Sequence, residues 1–434
     1  MKRYPAYKPS DVQWLGEIPD HWEVRRLKYI VDFVSRGNAP DYVEQSDVCA
    51  VSQGCVQRDG LHLENVKFHG GSADGFKGLL KDGDLLINST GTGTLGRCSI
   101  FAKEDDDAHV YFADGHVTIL RDTTTSINPD YLYSFFRTRQ EEITVFASEG
   151  ATNQIELQRE RLRSFSLPLP DIDEQTAIVS YLDRKNAEID GFVASKRKLI
   201  ALLNEERAAF IQKIVLRGLN PDAPMKQTGV DWLGEVPAHW EVRRNISLFG
   251  QRIERGSAEL PILVVSLHTG VTVGDEDSAD APQRLIEDRT AYKRTNSGDI
   301  AYNMMRMWQG AVGVTPVDGL VSPAYVVAYP LANVDSRFYC YLFRTDVYKN
   351  EVNRQSRGIV SDRNRLYWQD FKQMLSPFPP LSEQQAIVAE IEEQSQRIDA
   401  AISRIEREIE LINEYRTALI SEVVTGKIDV RDRG

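Results

Sequence analysis

Val12–Arg26 reads VQWLGEIPDHWEVRR, and Val230–Arg244 reads VDWLGEVPAHWEVRR. Twelve of these fifteen positions are identical. A second pair follows in the same order: LPLPDIDEQTAIVSYL at Leu167–Leu182 and SPFPPLSEQQAIVAEI at Ser376–Ile391. The chain is therefore a tandem duplication whose unit is close to half of its 434 residues. Two such long units imply a pseudo-two-fold molecule, because a solenoid repeats every ~20–45 residues. The segments between the matched anchors differ strongly. One frame carrying two different inserts is the lead to function.

A chain of 434 residues exceeds a single core and suits two to four domains. Apolar content of 41% and charged content of 27% are those of a soluble protein. No apolar run approaches the ~20 residues of a membrane span. The start, MKRYPAYKPSD, has no apolar stretch behind its basic residues and does not read as a secretory signal. Cys49, Cys55, Cys98 and Cys340 show no C-x-x-C spacing. They read as free thiols in a reducing compartment, and a cytoplasmic location is expected. The net charge of −12 argues against a broad basic face that grips nucleic acid alone. DNA binding would need local basic loops or help from partner subunits.

Each repeat reads as a mixed α/β globule followed by one long helix. Strand-like runs in the first are GDLLIN (Gly83–Asn88), RCSIFA (Arg97–Ala102) and HVTILR (His116–Arg121), bounded by turn residues. Asn128-Pro129-Asp130 then opens a short helix over YLYSFFRT. GDIAYN (Gly298–Asn303), AYVVAY (Ala324–Tyr329) and YCYLFRT (Tyr339–Thr345) occupy the corresponding places in the second. The expected boundaries are a first globule over 1–166, a first helix over 167–217, a linker over 218–229, a second globule over 230–375 and a second helix over 376–434.

Prolines at 168 and 170, and at 377, 379 and 380, block helix just upstream of each long run. Asp173 and Ser382 are expected as N-caps, and Ser382 with Gln385 fits a capping box. Heptads follow. In the first helix the seam rows are Leu182, Ile189, Lys196, Leu203, Phe210 and Asn186, Val193, Ile200, Arg207, Ile214. In the second they are Ile391, Ile398, Ile405, Ile412, Leu419 and Ser395, Ile402, Ile409, Arg416, Val423. This sustained 3-4 pattern predicts a coiled coil. Lys196 covers the seam with its stem, and Arg207 and Arg416 read as polar residues that fix register. A helix over Asp173–Leu216 is about 65 Å long, whereas the connector RGLNPDAPMKQTGV reaches about 50 Å fully extended. Antiparallel pairing is therefore expected, with two mixed α+β globules separated by a long two-helix coiled coil.

Enzyme chemistry finds no support in the motifs. Gly91–Gly96 matches G-x-G-x-x-G, but a strand rather than a helix follows, so it reads as a hairpin turn. Asn128-Pro129-Asp130-Tyr131 departs from N-P-P-Y at its third residue and reads as a helix-start turn. No G-x-x-x-x-G-K-[ST] loop is present, and the seven histidines form no metal-binding spacing. His21 and His239 recur inside the Trp-rich segment, where packing is their expected role. DNA readout has more support, since it uses Arg, Asn, Gln, Ser and Thr on base edges and phosphates. The hairpin tips supply Asn88, Ser89, Thr90, Thr92, Thr94 and Arg97, and Asn303, Arg306, Trp308 and Gln309. A loop ahead of each long helix supplies Asn153 and Gln154, and Arg354, Arg357, Ser361, Arg363, Asn364 and Arg365. These clusters, in matching places of two divergent globules, are the DNA-contact candidates.

The WLGEIP-x-HWEV-[RK]-R segment of each repeat and the P-x-P-x-x-x-E-Q-x-x-I-V segment of each long helix (Pro168–Val179, Pro377–Val388) resemble the specificity subunit of type I restriction–modification systems. The resemblance covers essentially the whole chain. It implies two variable target-recognition domains, each reading one half of a split, asymmetric double-stranded DNA site. It also implies two methyltransferase subunits bound to the conserved frame, and two further subunits that translocate and cleave DNA. S-adenosylmethionine, ATP and magnesium would belong to those other chains, leaving this one without catalysis, cofactor or metal. Two different inserts suit a non-palindromic target, because a homodimer reads identical half-sites. Near-identical anchors suit two copies of one partner. The competing readings are a coiled-coil scaffold with two partner-binding heads and no DNA readout, and a duplicated enzyme that binds its own cofactor.

Overall fold

The computed structural model describes the chain apart from residues 1, 92, 104–106, 150–154, 257–258, 268, 275–290, 359–363 and 432–434. It divides into two compact units. One comprises Met1–Lys196 with Arg407–Gly434, the other Arg197–Glu406.

Both units are built on the same four-stranded antiparallel sheet. In the first unit the strands lie in the order Phe33–Arg36, Val117–Arg121, Leu85–Asn88, Cys98–Ile100. In the second the order is Phe249–Arg252, Tyr325–Pro330, Ile300–Asn303, Val312–Val314. Strand for strand this is one topology, written in two sequences. The runs read as strands fall here because their β-branched residues fill a sheet buried on both faces; Leu85, Leu86, Ile87 and Asn88 are all buried. The short helix of the first unit, Pro129–Phe136, is capped by Asn128, whose side chain accepts from the amides of Asp130 and Tyr131. Its counterpart, Ser336–Phe343, is capped by Asp335.

The inserts account for the difference between the units. In the first, a separate sheet has the strand order Val110–Ala113, Val48–Val51, Lys67–His69, Tyr42–Val43 and includes one parallel pairing. In the second, two antiparallel pairs stand instead: Leu263–Ser266 with Gly270–Val273, and Lys293–Thr295 with Gly319–Val321, the latter flanking two strands of the core sheet in the chain.

The long helices run over Ile172–Arg217 and Leu381–Val424. Each starts earlier than its expected cap. Asp171, not Asp173, accepts from the amide of Glu174 at 2.8 Å. At the second helix the Pro380 carbonyl accepts from Glu383 and Gln384, so Ser382 lies within the first turn. At the first helix the residue just after the prolines claims the cap, and at the second the last proline does, because the prolines hold the preceding backbone extended.

The seam is formed as its heptads dictate. Leu182, Ile189, Val193, Ile391, Ile405 and Leu419 are buried, and Ile200, Leu203, Phe210, Ile398, Ile402, Ile409 and Ile412 half-buried. Phe192, Leu202, Leu411 and Tyr415, off the seam, are exposed. Within the first unit Asp190 pairs with Arg416 at 2.5 Å and Lys196 with Glu408 at 2.6 Å. One number rises as its partner falls, which is antiparallel pairing. Within the second unit Arg207 pairs with Asp399 at 2.8 Å. The two Arg–Asp pairs occupy equivalent positions in the repeat.

Candidate functional site

The anchors repeated in the sequence meet in space. In the first unit the strand Glu23–Arg26 pairs antiparallel with Ser166–Leu169, and in the second Glu241–Arg244 pairs with Leu375–Phe378. These pairings deliver the Glu-Gln of each helix start to the His-Trp of each repeat opening. Glu174 Oε2 accepts from Trp22 Nε1 at 3.0 Å and lies 2.8 Å from His21 Nε2. Glu383 Oε2 does the same with Trp240 at 3.0 Å and His239 at 2.8 Å. The neighbouring glutamines lock the short helices: Gln175 accepts from the Asn128 amide and Gln384 from the Asp335 amide. The frame is thus one device used twice, and the recurrent histidines belong to it.

On this frame the strand-end turns meet the described edges of the loops ahead of the long helices. In the first unit the Leu157 amide donates to the Ser89 carbonyl at 2.9 Å, and Thr90 bridges to Glu156. In the second the Leu366 amide donates to the Met304 carbonyl at 2.9 Å. In both units, then, the strand-end turn is hydrogen-bonded to a described backbone residue ahead of the long helix. Thr92, Asn153, Gln154, Ser361 and Arg363 lie outside the described residues.

The second unit presents the more open cluster. Arg306 and Gln309 are exposed on the turn after Asn303, and Gly310, at φ 94°, closes that turn in a conformation that favours glycine. Asn303 caps the turn by accepting from the Met305 amide, and Trp308 donates to the Met305 carbonyl while packing on the core. Arg357 and Arg365 face each other through two backbone hydrogen bonds of 3.0 Å. Arg357 is held by Asp370, Arg354 by Glu351, and Asn364 by Asn353. Arg306 and Arg365 make no ion pair with a described residue and are the free cations of this surface.

In the first unit burial corrects two expectations. Asn88 and Ser89 are fully buried, so neither reaches a partner molecule. Asn88 donates to the carbonyls of Gln53 and Val56, and Ser89 hydrogen-bonds Thr118 at 2.5 Å. A polar residue ending a central strand finds its partners in the neighbouring loop, and sequence pattern does not distinguish this from a solvated tip. Thr94 turns back on the carbonyls of Thr90 and Gly91. Gly91, at φ 96°, has no room for a side chain: a Cβ would stand 2.3 Å from Thr94 Oγ1. Thr90 meets His116 at 2.9 Å and Arg97 donates to Gln57 at 3.0 Å. Gln53, Gln57, Arg58, Arg36 and His116 therefore join this surface. Gln53, Gln57 and Arg58 lie in the insert, where the second repeat offers no counterpart to mark them, whereas Arg36 and His116 lie at the ends of strands that both repeats share.

Among the described residues no group of three or more His, Cys, Asp and Glu side chains is arranged to hold a metal ion, and no helix is long and apolar enough to cross a membrane. All four cysteines are buried and unbridged. Burial pushes the Cys98 and Cys340 thiols up to about 12, far from a nucleophile's range.

Residues 19–191 match the family described as type I restriction modification DNA specificity domain. The chain is 22% identical over 443 residues to the type I restriction enzyme MjaVIII specificity subunit of Methanocaldococcus jannaschii, covering 96% of this chain and 95% of that one. Its fold is similar to a chain solved in work on complex assembly and conformational transition of the type I R-M system, with a TM-score of 0.63, 13% identity and coverage of 95% and 99%. It is also similar to the HsdS subunit from Thermoanaerobacter tengcongensis, with a TM-score of 0.52, 14% identity and coverage of 95% and 98%.

Proposed function

We infer that this chain, which belongs to the specificity subunits of type I restriction–modification systems, reads an asymmetric DNA site in two halves, one per unit. As a specificity subunit it is the non-catalytic, DNA-directing part of its system. The observation that carries the two-part reading is the pair of unlike surfaces at one place on a duplicated frame. The first unit offers Thr90, Arg97, Gln53 and His116 there, the second Arg306, Gln309, Arg357 and Arg365. Equal positions with different donors and acceptors suit two different base sequences.

The shared frame takes two copies of a methyltransferase subunit, because two like surfaces suit two like partners. Translocase and nuclease subunits complete the restriction complex. S-adenosylmethionine, ATP and magnesium act in those partners, in the cytoplasm. The net charge of −12 supports shared DNA binding, since this chain alone offers few uncompensated cations.

The test is to express the chain with its methyltransferase and map methylated sites across a plasmid library. One split, non-palindromic sequence is the expected result. Methylation without sequence preference refutes the reading and favours the scaffold alternative.

A further inference from the structure

Beside the turn of the first unit lies a cavity of about 260 Å³, walled by Gln57, Arg58, Arg97, Arg137, Thr138 and Thr417 among others. Three guanidinium groups converge on it and no carboxylate lines it. In a chain with 64 acidic and 52 basic residues such a concentration is unusual. The arginines are also uncommitted. Arg58 makes no ion pair or side-chain hydrogen bond with a described residue, and Arg137 only stacks over the Tyr133 ring at 5.2 Å. Arg97 donates once, to Gln57, and its Nε is buried with no hydrogen-bond partner.

The second unit supplies the contrast. Phe136-Arg137-Thr138 recurs as Phe343-Arg344-Thr345, and a cavity of about 590 Å³ lies beside it. There Glu205 and Asp346 share the wall, Lys349 pairs with Asp346 at 2.6 Å, and Arg344 donates to the Leu267 carbonyl. That charge is spent internally, so the second cavity lacks the carboxylate-free basic lining of the first.

We propose that the Arg58–Arg97–Arg137 cavity is a phosphate site that receives one phosphate of the DNA backbone next to the half-site read by the first unit. Guanidinium forks, threonine hydroxyls and a glutamine amide are the donor set that phosphate oxygens use. Arg97 ends the turn that carries the base-reading candidates, so a phosphate held there sets the register of the duplex against that turn. The proposal rests on the DNA-reading function above.

Arg58→Gln and Arg137→Gln test it in the complex of the full chain with its methyltransferase. Binding to a 30-base-pair duplex bearing the mapped site is followed by fluorescence anisotropy across a salt series. Each variant should lower the slope of log affinity against log salt by about 1 and weaken all sequences alike, leaving the sequence preference intact. An unchanged slope for both variants overturns the proposal. So does normal DNA binding with loss of the methyltransferase on size exclusion, which assigns the cavity to an acidic side chain of a protein partner. Should Arg137→Gln not fold, the exposed Arg58 decides alone. A wild-type complex without sequence preference refutes the DNA-reading function instead, while the slope still reports on the phosphate.

Discussion

The indole Nε1 of Trp22 donates to Glu174 Oε2 at 3.0 Å, across 152 residues of chain. The same bond joins Trp240 to Glu383 at 3.0 Å. It ties the opening of each repeat to the start of its long helix. A glycine past the far end of the other long helix completes each joint: a Cβ on Gly426 would stand 3.1 Å from the Trp22 ring, and one on Gly218 3.3 Å from the Trp240 ring.

The two joints differ in burial, and that sets their energies. The Glu174 side chain is 4% exposed and that of Glu383 24%. Glu174→Ala leaves a buried indole N–H without an acceptor, at a cost of about 2–3 kcal/mol. Glu383→Ala lets water replace the carboxylate and should cost about 1 kcal/mol or less. Urea denaturation of the two variants checks the order; equal losses would contradict it.

This joint also marks how far sequence reaches. Histidine, tryptophan, glutamate and glutamine all recur in the anchors, so their importance was legible, but nothing in spacing said that Glu174 would face Trp22. The heptads were legible because burial of Ile189, Val193 and Ile405 follows a period that the helix itself imposes. Asn88 misled for the opposite reason. Its partners are the Gln53 and Val56 carbonyls, supplied by an insert that has no repeat to compare. Arg58 was missed on the same ground.

Seam arginines give a second prediction. Arg207 and Arg416 bridge to Asp399 and Asp190 from positions 25% and 20% exposed, and the Nε of each is buried without a partner. Filling the seam with Arg207→Leu should leave stability unchanged or raise it by up to about 1 kcal/mol, because packing replaces a costly half-buried charge. Asp399 is 62% exposed, so Asp399→Ala should cost less than about 1 kcal/mol. Thermal melts of both variants check this. A large loss in Arg207→Leu would show that the ion pair, not the apolar row, holds the helices together.

Acid should loosen the segment around Asp429. Arg431 hydrogen-bonds Asp429 at 2.8 Å and holds its carboxyl below the ordinary 3.8. A carboxylate lowered on folding stabilises the fold above its ordinary value, and that contribution disappears as pH falls from 3.8 through the folded value. The Asp429 amide donates to the Lys2 carbonyl, so this loss bears on the tail's seat against the N-terminal segment. Hydrogen exchange at Ile428–Val430 should therefore accelerate below the carboxylate range, and Asp429→Asn should exchange fast at neutral pH as well. Identical exchange profiles for the two proteins would contradict the link.

The last prediction separates reading from support. Arg306 is exposed on its turn and makes no ion pair with a described residue, whereas Asn88 is buried and holds its loop by two hydrogen bonds. Removing a base-edge contact relaxes discrimination at one position by about 1–3 kcal/mol. Arg306→Ala should therefore broaden the half-site read by the second unit and leave the melting temperature and the first half-site alone. Asn88→Ala should do the reverse, lowering the melting temperature and weakening the first half-site as a whole, because buried carbonyls lose their donor. Methylation mapping alongside thermal melts gives both readouts on the same samples. If Arg306→Ala instead destabilised the fold and kept both half-sites sharp, its turn would be scaffold, and readout by the second unit would pass to the Arg357–Arg365 loop.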